Sequence, residues 1–315
     1  MDHFPPVAKP HRPLQVPYVG GEYDNQSFSG YPARQGWNVQ RLQAANVETK
    51  AIDRARTFLQ TWFYFGLLHE VLGLDIRTAD FVRVDSAGIA YITTAKLRSY
   101  LQMWRESLSR LPDADSVARR NKQIVDCWAY SYYIWQGFDK SARDLLIPEE
   151  IQLSIQILAA TLEHAVLSVY NLFSAYHIPV AEAPWRLTSN DFLTQRMLED
   201  GWCPITVEQI WYPTHLCLQY YASILGPPTA YKQHEHCAAG DVSCKARNLN
   251  EGTYRTKHEC SSSDCRFVEV NATDLQKIVT SGSVALVQVD ASAPTISLKV
   301  VPFRPGMQYT AISHV

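Results

Sequence analysis

PEEIQLSIQILAATLEHAVLSVYNLFSAY, residues 148–176, carries the longest apolar run in the chain, and its reading decides the rest. Its length would suit a membrane span, which needs about 20 apolar residues. Gln152, Gln156, Glu163, His164 and Asn171, however, recur at intervals that gather polar groups on one helical face. Pro148 is tolerated in a first helical turn, and Glu149 and Glu150 complement the positive end of the helix dipole. The stretch therefore predicts a long, mostly buried helix running to about Tyr176, within a helical bundle and with no membrane partner.

Upstream, Ile52, Ala55, Phe58, Leu59, Trp62, Phe63, Phe65, Leu68, Val71 and Leu72 repeat with helical spacing, and Gly73 is placed to stop the helix. DFVRVDSAGIAYITT, residues 80–94, reads as a hairpin turning at Asp85-Ser86-Ala87-Gly88. Helical spacing returns at 94–111, at 116–136, after the start signal Thr188-Ser189-Asn190-Asp191, and at 206–225. Residues 1–48 hold six prolines and scattered rings (Phe4, Tyr18, Tyr23, Phe28, Tyr31, Trp37) without periodicity. They predict an irregular arm whose aromatic side chains lie on the helical body.

The 315 residues are 46% hydrophobic and 19% charged, with a formal net charge of −2. That composition is globular, and the balance of charge gives no general case for nucleic acid as a partner. The opening MDHFPPVAKPHRPLQVPYVGG lacks the apolar core of an export signal, so a cytoplasmic location is expected and the sequons at Asn25 and Asn271 read as chance. In a reducing compartment the seven cysteines favour metal binding over disulfides.

The character changes at Gly226-Pro227-Pro228. Residues 227–265 are polar and rich in Cys and His, too poor in aliphatic side chains to be ordered by burial. His234, His236, Cys237, Cys244, His258, Cys260 and Cys265 fall here, and thiolate with imidazole suits tetrahedral zinc. The preferred ligand set is Cys237, Cys244, His258 and Cys265, with Cys260, Cys203 and His236 in reserve. A disulfide or redox-labile pair and an unliganded polar loop are the alternatives. Trp202-Cys203-Pro204 reads first as packing, with Cys203 as a further ligand the functional option. Beyond Arg266 come strand patterns FVEV, VALVQV and TISLKVV, a helix at 273–281, and MQYTAISHV as a closing strand. The fold class is thus α+β and mainly helical: an arm (1–48), a helical bundle (49–226), a Cys/His module (227–265) and an α/β segment (266–315).

No catalytic constellation is complete. His69-Glu70 lacks the second His of HExxH and reads as a helix-end polar pair, and Glu163-His164 reads as hydrogen-bonding groups within the bundle rather than an acid/base pair. Glycine spacing offers neither GxGxxG nor a P-loop. The chain is read as a non-enzyme; the rival is a zinc-dependent enzyme using the Cys/His cluster with an open metal position.

MQYTAISHV resembles the opening strand of the fungal heterokaryon-incompatibility (HET) domain. VPYVGGEYD, YPARQGW, FLQTWFYFGLLHEVLG, LSIQILAATLEHA, DGWCPITVEQI, LQYYASILGPP and NLNEGTYRTKHECSSSDCRFV resemble the region upstream of that domain in a group of large fungal HET proteins. That resemblance implies nonself recognition with a programmed cell-death response, and a sheet related to TIR-type signalling domains beginning at Tyr309–Val315. It also implies a truncated effector in which the missing HET domain, or another protein, is the partner. Where the family pattern has a tight Cys-x-Cys after the histidine of TKH, this chain has Cys260 and Cys265, with Ser263 between.

Overall fold

The run of four consecutive aromatics Trp62-Phe63-Tyr64-Phe65 is buried throughout, which a regular helix with one core-facing stripe would not achieve. A computed structural model, describing residues 1–172, 185, 190–211, 214–227, 237, 269–290 and 296–310, shows how. Helix α3 (Ile52–Gln60) widens into a π-wound segment over Thr61–Gly66 before α4 (Leu67–Leu72), and other rings pack on it: Phe28 on Trp62 and Phe63, Trp135 on Phe63, Tyr18 and Phe81 on Phe65. Gly73 then turns left-handed at φ 62°, a conformation open to glycine without strain. Arg120 Nη2 donates to the carbonyls of Glu70 and Val71 at 2.6 and 2.9 Å, satisfying acceptors that the helix end leaves open.

The chain divides into two compact units, Met1–Leu249 and Asn250–Val315, each described by itself. In the first, the arm is seated as expected: Leu14, Val16, Tyr23, Phe28 and Tyr31 all join the core. It is less irregular than the sequence suggested, with two short helices, α1 (Tyr31–Arg34) and α2 (Val39–Gln43). The expected hairpin pairs β1 (Val82–Val84) with β2 (Ala90–Ile92), and Asp85 Oδ1 accepts from the backbone of Ala87 and Ile89 inside the turn. The arm continues this sheet, with Tyr18 N donating to Ala90 O and Ile92 N to Val16 O. Gln60 fixes the next step, its amide taking Val19 N and giving to Pro17 O. Asn25 accepts from Ile76 N at 2.8 Å, a structural use for the first sequon asparagine.

Helices α5 (Leu97–Leu108) and α6 (Ala114–Gln136) occupy the expected ranges, the second capped by Asp113 accepting from Ser116 N. Helix α7 (Lys140–Leu146), only two turns long, has no sequence counterpart above. Helix α8 (Glu149–Leu172) is the expected long, mostly buried helix; its Glu149–Val169 portion is long and apolar enough to cross a membrane by length and composition, but 78% of the apolar window is buried inside the protein. The remainder of the expected helix, 173–176, lies outside the described residues. On the polar face of α8, Gln152, Gln156 and Glu163 are buried, while His164 is exposed. Asn190 caps α9 (Asp191–Glu199). The single helix expected at 206–225 is two, α10 (Pro204–Trp211) and α11 (Leu216–Leu225), as Pro213, which has no N–H to give, would dictate.

In the second unit, α12 (Ala272–Thr280) is capped by Asn271 and accompanies an antiparallel pair, β3 (Ala285–Asp290) with β4 (Ser297–Pro302). Two strand expectations are corrected here. Glu269 and Val270 are not in a strand, while 267–268 lie outside the described residues; Met307–Thr310 are likewise not in a strand, with 311–315 outside. Within the described residues these segments have no paired neighbour, and a strand exists only through its ladder.

Candidate functional site

The Trp202-Cys203-Pro204 turn leads out of α9, and Pro204 opens α10, so Cys203 is held at the junction of two helices. Its side chain is buried, and it shares a small cluster with Ile205 and Cys237, separate from the main core. Two thiols from distant parts of the sequence are therefore placed together, one the first of the preferred ligands and the other a reserve. Both are buried and in no disulfide bond among the described residues, and thiolates are frequent structural ligands of zinc. His236, Cys244, His258, Cys260 and Cys265 lie outside the described residues. Among the described residues, no group of three or more His, Cys, Asp or Glu gathers as a metal site.

The remaining cysteines have other surroundings. Cys127 is buried in α6, and that burial pushes its thiol well above the usual range. Cys217, in α11, donates toward Ile157 O and contacts Thr161 Oγ1 at 3.4 Å; burial pushes it up to about 11. A thiol held protonated is a poor nucleophile.

Comparisons with family models, curated proteins and solved structures find no match.

Of the two polar pairs singled out in the sequence, His69, Glu70 and Glu163 have structural tasks, whereas His164, expected to hydrogen-bond inside the bundle, is exposed. His69 Nδ1 meets Leu74 O at 2.8 Å where the helix turns, and Glu70 Oε2 accepts from Phe28 N at 2.9 Å, pinning the arm. Glu163 is fully buried and accepts from Trp185 N at 3.1 Å, whereas the next residue, His164, is exposed with its ring 5.7 Å from that of His215. Neighbours on a helix point about 100° apart, and here the two side chains enter different environments. They do not form an acid/base pair.

Proposed function

We propose that the chain is a non-catalytic recognition or regulatory region of a HET-like fungal nonself-recognition protein, cytoplasmic, stabilised by a structural zinc. The burial of Cys203 and Cys237 in one small cluster supports the metal part of this reading. The sequence stretches that resemble the HET upstream region carry the rest. Cys203 moves from reserve to ligand beside Cys237, and the Cys/His segment 227–265 supplies the other ligands. Zinc would provide the folding free energy that so few aliphatic side chains cannot. The partner is a protein, the HET domain itself being the foremost candidate.

The test is calorimetric melting of the chain bearing Cys237→Ser, Cys203→Ser or Cys265→Ser, with zinc counted in each preparation. The expected result is about one zinc per wild-type chain and lower melting temperatures in the variants. Variants that melt like the wild type would remove the structural role.

A further inference from the structure

A cavity of about 300 Å3 opens between the end of α6, helix α7, the first turns of α8 and the start of α9. Its floor is made of carboxamides: Gln152, Gln156 and Asn190 are each less than a tenth exposed. Burying amides this deeply costs free energy unless their hydrogen bonds are met. The protein meets only part of them. Asn190 Nδ2 donates to Gln156 Oε1 at 2.5 Å, and Asn190 Oδ1 accepts from Leu193 N. Gln152 Nε2 donates to Ile147 O at 2.7 Å and to Asp144 Oδ1 at 3.3 Å. The Nε2 of Gln156 and the Oε1 of Gln152 have no hydrogen-bond partner among the described residues, so both glutamines bring unused polar capacity to the cavity they line.

Gln152 and Gln156 stand one turn apart on the same helix face, which sets an acceptor beside a donor. A single Asn or Gln amide reads the edge of adenine with its own donor and acceptor, and here two glutamines supply one group each. Tyr132 and Phe192 add aromatic surface to the lining, suited to a flat ligand. The charges decide against a phosphate. Lys140 is engaged by Asp144 at 3.5 Å and by Asp191 at 3.6 Å, Arg143 lies over the Trp135 ring at 5.6 Å, and Glu149 adds a third carboxylate against two cations. The lining is thus net negative.

We propose that this cavity binds an uncharged nucleobase or nucleoside, held by the Gln152 and Gln156 amides. The site stands within the first unit and is independent of the zinc reading.

Adenosine, guanosine, cytidine and uridine are titrated calorimetrically into the full chain, with adenosine monophosphate, free glutamine and glucose as comparison probes. At least one nucleoside should bind saturably, with its 5′-monophosphate roughly tenfold or more weaker because the lining is acidic. Gln156→Leu should abolish binding. Phe192→Ala, at a half-buried position that leaves the amides intact, should weaken it by about tenfold or more. Absence of nucleoside binding at millimolar concentration, preference for glutamine or glucose, or unchanged binding in folded Phe192→Ala would overturn the proposal.

Discussion

The indole Nε1 of Trp62 donates to the carbonyl oxygen of Phe28 at 2.9 Å, and the two rings stack with centroids 5.2 Å apart. One residue lies in the arm and the other in the most buried turn of the core, so this contact joins the two. Glu70 holds the amide of the same Phe28 from the other side. Phe28→Ala should therefore cost about 3–5 kcal/mol, the range for removing a buried aromatic ring. Urea denaturation followed by tryptophan fluorescence measures it, and a loss below about 1 kcal/mol would mean the arm is not part of the cooperative core.

Gly66 lies beneath that contact for steric reasons. A Cβ there would stand 2.9 Å from Phe28 Cδ2 and 3.1 Å from Tyr23 Cε2, although the glycine's own dihedrals, φ −64° and ψ −41°, are open to any residue. Alanine usually strengthens a helix relative to glycine, but here overpacking should win, with a net loss of about 1–3 kcal/mol. A Gly66→Ala chain that melts higher than wild type would show that the rings of the arm are not seated as described.

Much of this architecture was legible because burial writes a period into the sequence. The helices at 52–72, 97–108, 114–136 and 149–172, the hairpin at Asp85–Gly88 and the cap at Asn190 each follow from spacing or from a start and stop residue. What escaped was local or tertiary. Helix α7 has too few residues to establish a period, and α1 and α2 sit among prolines and glycines. The polar face of α8 was visible, but its destination was not: periodicity locates Gln152 and Gln156 together, while their burial depends on Asn190 arriving from a later element. In the same way Cys203 and Cys237 were both candidates, and only the folded chain brings them into one cluster.

A histidine in the arm makes the protein sensitive to acid. His3 meets Thr161 Oγ1 at 3.1 Å, and its ring is tilted against that of Phe4 with centroids 4.3 Å apart; burial above all, then the neighbouring amino group, lowers its pKa from 6.5 to about 3. The folded state thus disfavours the proton that the unfolded chain accepts. Its contribution to stability is complete above about pH 6.5 and is lost as pH falls toward about 3. His3→Gln should flatten the fall in unfolding free energy across that window. An unchanged pH profile in the variant would refute this origin.

Thiol labelling separates the cysteines by environment. Cys127 and Cys217, both pushed up by burial, should resist iodoacetamide in the native chain at pH 8. Cys203 and Cys237 should also resist, until a chelator is added, after which both should be alkylated. Mass spectrometry of the labelled peptides reads the result. Labelling of Cys203 and Cys237 that a chelator does not change would speak against metal protection.

The central claim is a closed zinc site built on Cys237 and Cys203. X-ray absorption at the zinc edge of the purified chain tests it most directly, because zinc–sulfur bonds near 2.3 Å are distinguished from zinc–nitrogen or zinc–oxygen bonds near 2.0–2.1 Å. The account predicts stoichiometric zinc with four protein ligands, including at least two sulfurs, and loss of sulfur scattering in Cys203→Ser. A chain without zinc, or zinc with three protein ligands and a water, would contradict it, and the second result would point to metal-assisted catalysis instead.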